Sequence, residues 1–333
     1  MSGADAVPVA LISEADRLPG RERIEARAAA AGWELCYFDA ETEPAPGVLA
    51  RTRFFVPPLP HRFGATTREL FGKLPALELV QLLSAGIDHV TALLPAGVAL
   101  CNAAGVRDRG VAELALGLIL MQRRDLGWHT ARTAAGGWER DAISPGLNGG
   151  RVLIVGYGRI GAELRRHLAP FDVEVEGVAT AARVAHDGTV VHPLERLPEL
   201  VGAADVVVLT LPLTAQTRGL VDAGLLARMK EGSLLVNVAR GPIVDTGSLL
   251  AATASGRIRA ALDVTDPEPL PPDHPLRTVP DVLITSHIGG NSYYGDALET
   301  ELVEAQFARY LVGEPLRNLV VAAAGAASPI GAA

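Results

Sequence analysis

Residues 151–161 read RVLIVGYGRIG: a five-residue apolar run, then glycines spaced G-x-G-x-x-G, then the amphipathic stretch AELRRHLAPF. An apolar run that short reads as a buried strand rather than a helix, and the glycines at its end mark a tight turn into the helix that follows. Five more apolar runs follow at regular intervals, VEVEGVA, DVVVLTLP, SLLVNVA, RAALDV and VLITSH, separated by helix-compatible sequence. Several lack the polar alternation of a half-exposed strand. The pattern therefore predicts a parallel sheet covered by helices on both faces, a doubly wound domain.

The first hundred residues repeat the theme more weakly. Runs at 7–12, 35–38, 54–56, 79–83 and 98–101 read as strands, with helices expected at 17–31 and 66–74, so a second parallel sheet is expected. A long Ala/Leu-rich helix is expected at 109–124, then an extended loop at 128–150 (WHTARTAAGGWERDAISPGLNGG). A last helix is expected at 296–312, followed by a frayed tail at 322–333. The 333 residues exceed the ~150 of an average domain, which agrees with two domains. No internal repeat is visible.

The net charge is -8 and no Lys/Arg-rich block occurs, whereas nucleic acids and anionic membranes call for a concentrated positive field; neither partner is expected. Cys36 and Cys101 stand far apart in sequence, so no disulfide framework and no Cys-type metal site is expected, and a reducing compartment fits. The N-terminal segment has no basic stretch ahead of its short apolar run, and a cytoplasmic location is expected.

The glycine pattern has a specific chemistry. Gly156 permits the turn, Gly158 lets the backbone approach a pyrophosphate, and Gly161 lets helix and strand pack closely; N–H groups at the helix start, around Arg159 and Ile160, then face the anion. Dinucleotide binding is the expectation. The next strand of such a unit ordinarily ends in an acid for the ribose hydroxyls, but here Ala179 occupies that place, and Glu174 and Glu176 lie earlier on one face, where they are expected to be solvated. With no carboxylate to repel a 2′-phosphate, and with Thr180 and Arg183 just beyond, NADP(H) is favoured over NAD(H).

Polar residues also fall where the later strands end, in LTLPLTAQTRGL (209–220), VNVARGPIVD (236–245), ALDVTDPEP (261–269) and ITSHIGG (284–290). Ligands bind at such strand ends. A guanidinium can hold a carboxylate and polarise a carbonyl through its planar fork, and an imidazole can exchange a proton near neutrality. Together with SAGIDHV (84–90) and VAELALGLIL (111–120), these motifs resemble the D-isomer-specific 2-hydroxyacid dehydrogenase family, which includes the glyoxylate/hydroxypyruvate reductases, over nearly the whole chain.

The resemblance implies Arg240, Glu268 and His287 as catalytic residues, with Glu268 on the second ring nitrogen of His287 favouring the imidazolium and fixing the ring. It implies that the backbone of Ala85 and Gly86, with Arg240 and His287, binds the substrate, and that Leu211, Pro212, Thr217, Val238, Ala239, Asp263 and Gly289 line the cofactor, Asp263 through the nicotinamide carboxamide. Trp138 is expected either at a subunit contact or in a partner's site. Ser286 stands where relatives often have Pro. Glu268 argues against formate dehydrogenase, which has glutamine in that role.

The implied architecture is α/β: a Rossmann cofactor domain at 102–287 inserted into a discontinuous flavodoxin-like substrate domain made of 1–101 and 288–333, with the ligands in the cleft between them. The implied activity is NAD(P)-dependent interconversion of a small 2-oxo acid and a D-2-hydroxy acid by a homodimer. Two alternatives are a phosphite dehydrogenase-like oxidoreductase and a non-catalytic dinucleotide-sensing regulator.

Overall fold

The structure is a computed structural model that describes residues 6–14 and 18–322. Its strands are β1 (Val9–Ser13), β2 (Glu34–Phe38), β3 (Thr52–Val56), β4 (Leu79–Gln81), β5 (Ala99–Cys101), β6 (Arg151–Val155), β7 (Glu174–Ala179), β8 (Arg183–Val184), β9 (Val190–Pro193), β10 (Val206–Leu209), β11 (Leu234–Asn237), β12 (Arg259–Leu262), β13 (Val282–Ile284) and β14 (Leu319–Val321). The chain forms two compact units, one of residues 1–107 with 291–333 and one of residues 108–290.

In the first unit the sheet order is β14-β5-β4-β3-β1-β2, all neighbours parallel except β14 on β5. Its first five strands thus follow the flavodoxin-like order 2-1-3-4-5. Two apolar layers flank it, because strands buried on both faces send alternate residues to opposite sides: Leu11, Phe55 and Val80 into one, Ala10, Ile12 and Phe54 into the other. The helix Tyr293–Val312 closes the second layer with Phe307, which is fully buried and meets Phe54 edge-on at 5.1 Å. Its N-terminus is capped by the Ser292 hydroxyl, which accepts from the Gly295 N–H.

In the second unit the order is β13-β12-β11-β10-β6-β7-β9-β8. Counting β6, β7 and β9 as the first three strands gives the 3-2-1-4-5-6 order of a Rossmann domain, with the switch point between β6 and β10. The six strands read from the sequence are all present. Val152, Ile154, Val206, Val208, Leu234 and Val236 pack on one face, and Val155, Val207, Leu209 and Leu235 on the other. Burial on both sides explains the unalternating apolar runs. The helix Asp108–Arg123 covers the first of these faces through Ala112, Ala115, Leu118 and Ile119, at helical spacing.

Three strands and two helices, Pro46–Leu49 and Leu126–Ala134, went unread in the sequence. The antiparallel hairpin β8–β9 follows β7, and β14 lies on the edge of the first sheet. Residues 128–150 are not all loop: Leu126–Ala134 is a helix without a buried residue, after which the chain is irregular. The tail expected to fray at 322–333 lies, after Ala322, outside the described residues.

Candidate active site

The glycine loop begins where β6 ends, at the switch point. Gly156 has φ +97°, and a Cβ there would stand 2.5 Å from the Leu211 backbone nitrogen, so only glycine lets the β6 and β10 ends approach this closely. Gly158 caps the helix Arg159–Leu168 without any side-chain cap, and a Cβ added to it would enter open space, with no protein atom nearer than 3.9 Å. An uncapped helix start beside a glycine with open space above it is the cradle a dinucleotide pyrophosphate requires, and these residues fit that group. Gly161 packs against Ile154, where a Cβ would fall 3.0 Å from Cγ2. Arg159 donates through Nε to Asp108 at 2.8 Å, and Ile160 follows in the same first turn.

Beyond β7 the sheet edge is tied to this loop. The buried Tyr157 ring lies over Gly177, and its hydroxyl meets Asp187 at 2.6 Å and Thr189 at 2.9 Å. Burial and the Asp187 carboxylate push the Tyr157 pKa up to about 12, so the phenol stays protonated and donates. Arg183 donates through Nη2 to the Tyr157 carbonyl oxygen at 2.5 Å, which sets its guanidinium against the glycine loop; Thr180 is exposed beside it. Glu176 is not merely solvated: its carboxylate lies 2.7 Å from His192 Nε2 on the neighbouring strand.

On the other side of the switch point, Leu211 abuts Gly156, and the Thr217 hydroxyl donates to the Pro212 carbonyl at 2.7 Å, bracing that loop. Val238 and Ala239 follow β11 and are nearly buried; the Asn237 amide holds the turn, accepting from Ala239 N at 3.0 Å and donating to Arg240 O at 3.0 Å. Arg240 is half-buried at this strand end.

His287 follows β13 in the left-handed region, with φ +56°, and its Nδ1 lies 2.7 Å from Glu268 Oε1. Burial works against the Glu268 charge, but the hydrogen bond from His287, its charge, a backbone bond at Thr265 and the Arg240 guanidinium together hold the carboxyl below its ordinary range. An ionised carboxylate only accepts, so Nδ1 is the donor in this contact and Nε2 takes no part in it. Asp263, 3% exposed, holds the turn after β13: Oδ1 accepts from Thr285 Oγ1 at 2.6 Å and from Ile288 N at 2.8 Å, and Oδ2 accepts from Gly289 N at 2.9 Å. Sequence reasoning assigned Asp263 a contact but missed Thr285, whose only signal was a hydroxyl two residues before the histidine.

In the first unit the carbonyls of Ala85 and Gly86 are held by the Asn102 amide and the Ser84 hydroxyl, each at 2.8 Å. Of the remaining histidines, His89 meets Phe63 edge-on at 5.2 Å, His274 Nδ1 accepts from Leu276 N, and His192 and His167 lie against the carboxylates of Glu176 and Glu163. Among the described residues no group of three or more His, Cys, Asp or Glu side chains could hold a metal ion, and no helix is long and apolar enough to cross a membrane.

A Rossmann unit with an uncapped phosphate cradle, and a His–Glu pair beside an arginine at its strand ends, defines a dinucleotide-dependent oxidoreductase. The family model described as D-isomer specific 2-hydroxyacid dehydrogenase, NAD binding domain, matches residues 116–289. The chain belongs to this family. It is 35% identical over 235 residues to the glyoxylate reductase/hydroxypyruvate reductase of Mus musculus, covering 65% of this chain and 69% of the relative. Its fold is similar to that of a D-isomer specific 2-hydroxyacid dehydrogenase from Xanthobacter autotrophicus Py2 in complex with NADPH and MES, at TM-score 0.76 and 31% identity over 95% and 98% of the two chains. It is equally similar, at TM-score 0.76 and 27% identity over 96% and 100%, to an NAD-dependent formate dehydrogenase from Staphylococcus aureus in complex with NAD.

Proposed function

We propose that the chain is an NAD(P)-dependent D-2-hydroxyacid dehydrogenase that reduces small 2-oxo acids, with His287 as the proton-exchanging group. The 2.7 Å contact between His287 Nδ1 and Glu268 carries this reading, because it fixes the ring and leaves Nε2 for the substrate. The bound nicotinamide would supply hydride to the carbonyl carbon, held by the cradle of Gly156, Gly158 and Gly161 with Arg159 and Ile160 and lined by Leu211, Pro212, Thr217, Val238, Ala239, Asp263 and Gly289. His287 gives its Nε2 proton to the carbonyl oxygen, and in the oxidative direction takes it back. Arg240 orients the 2-oxo acid through its guanidinium fork and polarises the carbonyl. In the first unit, Ala85 and Gly86 offer backbone N–H groups suited to a carboxylate.

NADP(H) is favoured over NAD(H). No acid stands at the end of β7, where Ala179 is followed by Thr180, and the Arg183 guanidinium sits at the glycine-loop backbone. Self-association into a homodimer is part of the proposal, supported by Trp138 and Ile143, which are 82% and 95% exposed on the segment after the helix Leu126–Ala134. The deciding experiment follows NADPH and NADH oxidation with glyoxylate, hydroxypyruvate, pyruvate and phenylpyruvate. His287→Gln should lower the rate with any accepted substrate by ~10², the scale of a lost general acid. A variant as fast as the wild type would overturn the assignment.

A further inference from the structure

The Asp263 carboxylate has no ionic partner within hydrogen-bonding distance, yet it is almost wholly buried and takes three hydrogen bonds from a single five-residue turn, 285–289. Its backbone carbonyl takes a fourth, from His287 N at 2.8 Å. Every residue of the turn except Ser286 is thereby bonded to Asp263. We propose that Asp263 and Thr285 form a positioning pair that sets the backbone conformation from which His287 projects.

The backbone of His287 explains why such a brace is needed. At φ +56° a residue with a Cβ lies in a sparsely populated region that is energetically unfavourable and persists only where its surroundings enforce it. The enforcement is local. The N–H groups on the C-terminal side of His287, at Ile288 and Gly289, converge on the two Asp263 oxygens, while the Thr285 hydroxyl approaches Oδ1 from the N-terminal side. The left-handed residue is pinned from both directions. Gly289 completes the fit, since a Cβ there would crowd Oδ2 at 3.0 Å.

Asp263 and Glu268 belong to one segment leaving β12, five residues apart in sequence. The first fixes the main chain of His287 and the second fixes its ring, so the orientation of Nε2 depends on both. This role is separate from any contact of Asp263 with a cofactor: the turn uses three of the roughly four acceptor positions a carboxylate offers.

The inference rests on His287 as the proton-exchanging group, and the test separates the two. Thr285→Val keeps the branched shape and removes only the hydroxyl; Thr285→Ser restores it. Asp263→Asn puts an amide donor where a third acceptor is needed. For Thr285→Val we expect kcat with a 2-oxo acid to fall roughly tenfold, the order of loss for a slightly misplaced reacting group, with KM and the cofactor Kd within twofold and with Thr285→Ser close to the wild type. Asp263→Asn should lose more kcat than Thr285→Val.

The second readout needs no turnover. In protein labelled on histidine and free of ligand, the His287 ring resonances, assigned by their absence in His287→Gln, should shift or broaden in Thr285→Val while those of the other histidines stay in place. A wild-type kcat and unmoved His287 resonances in Thr285→Val overturn the pair, as does a loss confined to cofactor affinity. If His287→Gln itself keeps the wild-type rate, the reading of His287 falls, and the resonance comparison still decides whether Asp263 and Thr285 hold the turn.

Discussion

Glu268 and His287, separated by 19 positions in the sequence, meet through a 2.7 Å contact between Oε1 and Nδ1, and neither side chain is deeply buried: 41% and 38% of their surfaces remain exposed. The segment after β12 and the turn after β13 each bring one member to the same edge of the sheet. The pairing is thus a product of adjacent parallel strands ending together.

Replacing the carboxylate tests what the contact does. Glu268→Gln keeps the shape but loses the charge that makes this residue an obligate acceptor, and its amide can turn its NH2 toward the ring. We expect kcat for 2-oxo acid reduction to fall roughly tenfold, the rate equivalent of one lost charge-assisted hydrogen bond. Steady-state kinetics with an accepted substrate measures this, and an unchanged kcat would show that the ring is oriented by other means.

Arg183 bears on cofactor choice. Arg183→Ala removes the guanidinium lying at the Tyr157 carbonyl, four residues beyond the end of β7. The expected result is a KM for NADPH raised roughly tenfold, as for one lost hydrogen bond to a charged group, against less than a twofold change for NADH. Equal effects on both cofactors would remove Arg183 from phosphate discrimination.

Gly156 is a test of the cradle. Gly156→Ala forces a Cβ into the left-handed φ and to within 2.5 Å of the Leu211 nitrogen, which no rotamer can relieve. A loss of about 2–3 kcal/mol of folding stability is expected, with dinucleotide binding abolished. Calorimetric unfolding and titration with NADPH measure the two effects separately; a variant that binds normally would show the loop conformation to be replaceable.

Asp205 couples the second sheet to pH. Burial opposes its charge, but the Lys230 ammonium at 2.6 Å, the Arg151 N–H at 2.9 Å and the nearby Arg123 hold its carboxyl below the ordinary value. A depressed folded-state pKa adds stability above the unfolded value, near 4, and that stability is lost as the pH falls through the folded value. Asp205→Asn should therefore cost about 1–2 kcal/mol at neutral pH, and the gap to the wild type should close as the pH falls through the depressed folded-state pKa. Urea unfolding at neutral and acid pH gives the comparison; a gap of equal size at both would mean that charge is not the cause.

The parts of the fold that were legible in the sequence are those with the most burial. Strands β6, β10, β11 and β12 of the Rossmann sheet are buried on both faces along most of their length and so stand out without any period. By contrast, β8 has two exposed residues and β9 has a single buried one, Val191, ahead of His-Pro, so neither carries an apolar signal. The helix Leu126–Ala134 buries nothing and contains Gly127, which makes it look like loop. At the site, polar residues mark the segments where the later strands end, and it is the family resemblance that singles out Arg240, Glu268 and His287 among them. The grip of Arg183 on a loop carbonyl and the bond from Thr285 to Asp263 could not be read, because both depend on how a short turn folds back, which residue type and spacing do not encode.

The tie between the glycine loop and the β8–β9 hairpin makes the cofactor end of the second unit an indivisible module. Tyr157 fills the space that a side chain at position 177 would need, and its buried hydroxyl relies on Asp187 and Thr189. Transplanting the stretch between β7 and β9 from a relative with another cofactor preference would leave that hydroxyl without partners, at a cost of about 1–3 kcal/mol. Exchange of specificity in this scaffold must therefore carry positions 157, 177, 187 and 189 along with the residues that touch the ribose.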